Sequence, residues 1–384
     1  MPRTEHALGL ERAIGALGLA VLIAAAVTAP ADARAAAAQD WPPFVLVTGL
    51  LLVGLVAEQD GLFAAGGHAL ARVAPNGVAL YAGTTVLIVT VTTLLNLDTS
   101  VTFLTPVLVY VARSRGEQQA PLIYACLLLS NAGSLLLPGS NLTNLIVLGH
   151  LHLSGGEFLR HMAAPALTAA AVTALVVGVC QHRELRTTLA PTDDPERPVL
   201  GVGLAAVAAV TVLVVALRAA ALPVAVVGLI ALLARWARPG AGSGVTPRTA
   251  ARALGVPVLV GLFGLAVALG TLGRAWSGPA ALLAHCDVWA TAAVAAVSSV
   301  LVNNLPAASL LAARTPPHPF ALLVGLNVGP NLFVTGSLAW VLWLRAARAV
   351  GGRPDIRRAT VLGLVSTPLA IAAAVGVLVA EGMH

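Results

Sequence analysis

The sequence predicts an all-α polytopic membrane protein made of two inverted repeats, each with a re-entrant hairpin and a broken transmembrane helix. Three observations predict it. Mean hydropathy is +0.90 and only 10% of the 384 residues are charged, far outside the composition of soluble domains. Apolar runs of about 20 residues recur with few charges, the length of a helix that crosses hydrocarbon, and they lack the alternation of barrel strands. Finally, each half of the chain carries a polar-tipped hairpin followed by an interrupted helix. Such paired interruptions in corresponding positions are the sequence mark of a transporter site.

Residues 8–29 form the first apolar run, and the small-residue segment after it (28–38) has the character of a signal-peptide cleavage region. A second span covers 43–57, and the amphipathic stretch 61–76 reads as interfacial. Two apolar arms, 77–95 and 97–112, meet at a polar tip, which is allowed at membrane depth only where protein or a water-filled cavity surrounds it. Residues 120–149 read as one helix broken by SNAGSLLLPGSNLTN, and 161–180 as a further span. The hydrophilic segment 181–198 divides the chain into a first transmembrane repeat, 1–180, and a second, 199–384. Spans near 199–217, 222–234 and 253–271 lead to a second hairpin, 288–313, around SSVLVNNLP. Another broken helix, 320–344, contains NVGPNLFVTGS, and 359–380 closes the chain.

The repeat is visible residue by residue. Asn131, Gly133, Gly139 and Ser140 read N-x-G…G-S after a hairpin bearing Asn96 and Asp98. Asn327, Gly329, Gly336 and Ser337 read the same after a hairpin bearing Asn303 and Asn304. Arginine placement tests orientation. Arg113 and Arg115 follow the first hairpin, whereas Arg314 alone follows the second. Arg160 follows the first broken helix, whereas Arg345, Arg348, Arg353, Arg357 and Arg358 follow the second. The asymmetries have opposite signs, as inverted repeats require under the positive-inside rule. With the 235–252 loop and the linker also cytoplasmic, the expected topology is about nine crossings plus two hairpins, N-terminus inside.

Asp98 stands out chemically. Its nearest charged neighbours along the chain are Arg72 and Arg113, and a carboxylate at bilayer depth costs on the order of 3 kcal/mol even on the lenient insertion scale. It is the expected proton or cation coupling site. Asn96, Thr99, Asn131, Ser140, Asn141, Asn303, Asn304, Asn327 and Ser337 are the expected substrate lining, with Ser100, Ser130, Thr143, Asn144, Asn331 and Thr335 nearby. Helix ends at the breaks would add free N–H and C=O groups. No Arg or His lies beside the breaks, which favours a neutral or cationic solute. The bland reading is that each Asn or Ser merely glues helices together. Cys126, Cys180 and Cys286 share no metal or redox spacing, and no metal site is expected. The charge of +6 comes from 22 basic residues, all Arg and scattered over loops, so nucleic acid is not an expected partner. Sequence signatures for an intramembrane enzyme, H-E-x-x-H or G-x-S-x-G, are absent, as is a phosphate-binding G-x-x-x-x-G-K-[ST] loop.

At Asn96, Asp98 and Leu104–Val107, at Asn303–Pro306, at Gly325–Leu344 and at EQDGLF (58–63) the chain resembles the arsenite/antimonite efflux permeases, the ArsB-like branch of the ion transporter superfamily. The likeness runs from about residue 43 to 345. It implies proton-coupled export of a small inorganic substrate across the inner (cytoplasmic) membrane, no bound cofactor, a proton or sodium gradient as energy source, and in some members a cytosolic ATPase subunit. Departures are specific: Leu97 separates Asn96 from Asp98, Asn327 stands where the family commonly has Asp, and Asn331 where it commonly has Lys. The wider superfamily supplies the alternative, a Na⁺-coupled carrier of dicarboxylate, citrate or sulfate, or a Na⁺/H⁺ antiporter.

Overall fold

The computed structural model describes residues 2–116, 118–149, 151, 153–185, 201–237, 250–251 and 254–383, with side chains from residue 13 onward. Most of the 181–198 linker and of the 235–252 loop, with His150 and His152, therefore lie outside the described residues.

The described residues are helical throughout the two halves, with turns between. The first half runs α1 (Pro2–Thr28), α2 (Pro30–Gln59), α3 (Leu62–Val73), α4 (Gly77–Leu94), α5 (Leu97–Ser114) and α6 (Gln119–Gly133). A 3₁₀ turn, Pro138–Ser140, precedes α7 (Leu142–Leu148) and α8 (Gly155–Cys180). The second half runs α9 (Val202–Ala216), α10 (Ala221–Trp236), α11 (Val256–Ala275), α12 (Gly278–Ala284), α13 (Val288–Val302), α14 (Asn304–Leu311) and α15 (Pro319–Val328). A second 3₁₀ turn, Gly329–Leu332, precedes α16 (Ala339–Ala349) and α17 (Ile356–Ala380). Among the described residues five helices, α2, α4, α8, α11 and α17, are long and apolar enough to cross a membrane.

The halves exchange equivalent partners. In each, the second hairpin arm packs on the second piece of the other half's broken helix: α5 on α16, and α14 on α7. Likewise α1 packs on α11 while α10 packs on α2, and α8 packs on α17. The reciprocity matches helix for helix from α1 and from α10, leaving α9 outside it. Two small residues set one of these approaches. A Cβ on Gly228 would lie 2.6 Å from the Gly49 carbonyl oxygen, and one on Gly49 would lie 2.7 Å from the Ala225 Cα. Small residues at such crossings let backbones approach where apolar burial gives no preference for protein over lipid.

Three differences from the sequence reading have clear causes. The span expected to start at Pro43 is one helix from Pro30, with Pro42 and Pro43 inside it; neighbouring helices make such prolines tolerable at membrane depth. The arms of the second hairpin are unequal, since α14 has 8 residues, about 12 Å at 1.5 Å per residue, and cannot cross. In the first hairpin α4 has 18 residues, about 27 Å, so that arm reaches across. The short helix α12, seven residues with Pro near its start, is too brief to leave a periodic signal. The interfacial stretch becomes α3, entered through Gly61 at φ +77°, where Phe63 stacks on Phe103 of α5 at 5.5 Å.

Replacing Gly49 with Ala forces the α2–α10 crossing apart. The expected cost is about 1–3 kcal/mol, read as a lowered thermal unfolding midpoint in detergent. An unchanged midpoint would contradict the close approach.

Candidate functional site

Each polar tip and each break starts a helix, and the sequence caps three of the four starts with asparagine. Asn96, extended at φ −166°, accepts the Thr99 N–H at the head of α5, at 2.7 Å. Asn141 accepts the Thr143 N–H at 3.3 Å at the head of α7. Asn303 accepts the Leu305 N–H at 3.4 Å at the head of α14 and holds φ +73°, the only positive φ outside glycine among the described residues. Asparagine suits both tasks, because its short amide mimics a backbone acceptor and tolerates the left-handed region. The fourth helix, α16, follows Leu338 without a side-chain cap.

Side chains join tips and breaks into one chain of contacts. The first break meets the first hairpin through Ser140 Oγ, which donates to the Thr93 carbonyl at 3.1 Å, and through Ser130 Oγ, which donates to Ser100 Oγ at 3.1 Å. The second break meets the second hairpin through the Asn304 N–H to the Gly336 carbonyl at 2.9 Å and through Asn303 Nδ2 to the Thr335 carbonyl at 3.3 Å. Between the breaks, Asn131 Nδ2 donates to Asn331 Oδ1 at 2.9 Å. Asn327 Oδ1 accepts from Ser134 Oγ at 2.9 Å, Asn141 Nδ2 at 2.6 Å and Thr143 Oγ1 at 3.2 Å. Its Nδ2 donates to Asn144 Oδ1 at 2.9 Å and to the Leu323 carbonyl at 2.9 Å. Asn327, Asn131, Asn144 and Asn331 are wholly buried.

The expected site residues therefore divide. Asn141 and Asn327 are cross-links whose hydrogen-bonding groups face protein, and Ser140 ties its break to the hairpin. Asn131 is a cross-link through Nδ2, while its Oδ1 has no partner. Asn96 Nδ2, Thr99 Oγ1 and Ser337 Oγ are likewise buried without a hydrogen-bond partner among the described residues. Asn304 is buried, whereas Asn303 is half-exposed. Asp98, half-buried in the first turn of α5, meets no hydrogen-bond donor and no opposite charge among the described residues. Buried polar atoms left unpaired cost free energy, so these are the groups a solute or ion would satisfy. Among the described residues no charged side chain takes part in the bonds that join the breaks.

One acid escaped the sequence reading. Asp40, three residues ahead of the span read over 43–57, lies inside α2 at 1% exposure. It accepts a hydrogen bond from Ser309 Oγ of α14 at 3.3 Å. The missed signal is the alanine run 35–38, a strong helix-forming stretch just ahead of the Pro42–Pro43 pair.

Removing the Asn327 side chain takes from Asn141 Nδ2 its 2.6 Å acceptor and from the buried Asn144 Oδ1 its donor. Asn327→Ala is expected to destabilise the folded protein by about 3 kcal/mol or more, since several buried partners lose their bond at once. Asn303→Gly, at an exposed positive-φ position, is expected to change stability by under about 1 kcal/mol. Thermal unfolding of both variants in one detergent checks the order, and a reversed order would contradict the assignment of Asn327 as the cross-link.

A model of the CitMHS citrate transporter family matches residues 4–342 of the chain. Comparison with curated proteins finds no match. Among solved structures the chain is similar to the YdaH transporter of Alcanivorax borkumensis, described as having an unusual topology. The likeness has a TM-score of 0.56 and 17% identity, covering 92% of this chain and 88% of that one, and at that identity it is a likeness of fold. The arsenite-permease resemblance thus resolves to a citrate-transporter family of the same superfamily. Because the family match spans most of its length, this chain belongs to the CitMHS citrate transporter family and is a multi-pass membrane secondary transporter, not an enzyme.

Proposed function

We propose that the protein exports arsenite or antimonite across the inner (cytoplasmic) membrane in exchange for protons, with Asp98 as the proton site. One observation carries this reading. Neutral amides and hydroxyls make the bonds between the helix breaks, and Asp98, at the tip of the first hairpin, has neither donor nor countercharge among the described residues. Trivalent arsenic and antimony hydroxides are neutral at pH 7 and rich in hydrogen-bonding oxygen, so they need no cationic side chain to hold them. Asn96, Thr99, Asn131 and Ser337 would meet the solute with the atoms that protein leaves unpaired, Asn304 would join that lining, and Asn141, Ser140 and Asn327 would hold it in place. Residues 1–180 and 199–384 would act as the two repeats, joined by a cytoplasmic linker at 181–198. The energy source would be the gradient alone, with no bound cofactor. The sequence holds no phosphate-binding loop, so ATP could act only through a cytosolic ATPase partner.

The second reading is a Na⁺-coupled small-anion carrier or a Na⁺/H⁺ antiporter, with Asp98 as cation ligand. The family's description as citrate transporters favours a carboxylate substrate, and helix N-termini favour an anion. A multivalent carboxylate would then depend on those dipoles and on a co-transported cation for charge balance.

Everted vesicles under an imposed pH gradient separate the readings. Arsenite uptake that needs the gradient and no sodium supports export by proton exchange; citrate uptake that needs sodium supports the second reading. In the first case Asp98→Asn is expected to cut gradient-driven uptake at least about tenfold while leaving the protein monodisperse. Unchanged uptake would remove Asp98 from the coupling role.

A further inference from the structure

Asp40 sits where four helices meet, two of them pieces that the hairpin and break design leaves short. Ser309 of α14 donates to its carboxylate at 3.3 Å. The neighbouring Gln39 donates through Nε2 to the Ile146 carbonyl of α7 at 3.1 Å and to the Ala312 carbonyl at the end of α14 at 3.1 Å. Arg274 of α11 donates to Gln39 Oε1 and to the Gly270 carbonyl at 2.9 Å. Two adjacent residues of α2 thereby hold one arm of each repeat, α7 and α14, against α2 and α11.

The charges around Asp40 are few. Arg274 is the cation whose field reaches it, yet that guanidinium is engaged by Gln39 and forms no direct ion pair with the carboxylate. Asp32 of α2 acts on Arg274 from its other side, and Arg314 donates to the Arg274 carbonyl at 2.9 Å. The sequences of α7 and α14 contain no charged residue, and neither does α1 from residue 13 onward. A carboxylate at 1% exposure with one hydroxyl donor has too few bonds for a settled structural ion, because buried charges persist where they are paired and fully hydrogen-bonded.

We infer that Asp40 is a second proton-carrying carboxyl of the transport cycle, placed at the seam between α2–α11 and the arms α7 and α14. With Asp40 ionised, Ser309 donates to it and Arg274 balances it across Gln39. When Asp40 takes a proton from water on one side of the membrane, its O–H becomes a donor and the Ser309 oxygen an acceptor. The balancing role of Arg274 then ends, and the hold on α14 changes without any other group gaining or losing a proton. Release to the opposite side restores the first state. This rests on the reading of the protein as proton-coupled, and it adds a group on α2, a different element from the α5 that carries the first hairpin's own acid.

Infrared difference spectroscopy of the purified protein across a pH titration tests it without any substrate. The protonated-carboxyl region should hold one band that disappears in Asp40→Asn, persists in Asp40→Glu at a moved frequency, and persists in Asp98→Asn. If Asp40→Asn removes no band, the inference is overturned whatever the substrate is. A transport arm reads the coupling itself in proteoliposomes, with arsenite and citrate as the probes. Asp40→Asn should lower pH-gradient-driven accumulation at least about tenfold more than it lowers solute exchange at equal pH. Equal loss of both, with the infrared band gone, would make Asp40 a titrating structural group and overturn the carrier role. If wild type moves neither probe, the failure belongs to the substrate reading, and the infrared result still decides Asp40.

Discussion

The amide of Asn327 is the interaction on which the rest of the architecture depends. Breaking a helix inside a membrane frees backbone groups that lipid cannot satisfy, and this chain breaks two helices at one place. The second break is pinned by Asn327, whose oxygen collects donors from Ser134, Asn141 and Thr143 of the first break, and whose nitrogen reaches Asn144. Asn144 in turn donates to the freed carbonyls of Ser134 and Leu137 at 2.7 and 3.1 Å. The backbone groups opened by the first interruption are thus satisfied by side chains that the second interruption orients. The first break is held by the second.

That junction also sets the charge economy of the protein. In the resembling permeases the positions of Asn327 and Asn331 commonly hold an acid and a base; here both are amides, one helical turn apart, and each bonds across to the first repeat. Replacing a charged pair with neutral amides keeps the cross-link and removes the desolvation cost of two buried ions. What remains charged near the helix interruptions is Asp98, and at the seam with α2 it is Asp40 balanced by Arg274. The two acids lie on different elements, α5 and α2. On the proposed reading, proton handling would be separated from the holding together of the breaks.

Much of this was legible in the sequence because the signals are repetitive. Length and apolarity located the spans, and the N-x-G…G-S pair located both interruptions to within a few residues of the 3₁₀ turns at Pro138–Ser140 and Gly329–Leu332. Two things were not legible. Composition marks an Asn as polar but not as bonded, so Asn141 and Asn327, which read as lining, turn out to be cross-links between segments 186 residues apart. Asp40 was hidden by Pro42 and Pro43, which read as the edge of a span, although the helix runs through them. Local rules for proline describe an isolated helix; tertiary neighbours decide whether the helix stops.

The central claim is that a neutral, amide-lined junction carries a neutral solute against protons. Its most direct test is a recording of internal pH in proteoliposomes of the purified wild-type protein, in sodium-free buffer, as arsenite is added outside. The account predicts a solute-evoked proton movement that saturates with arsenite and is unaltered by adding sodium. Proton movement evoked by citrate but not arsenite, or appearing only with sodium present, would contradict it.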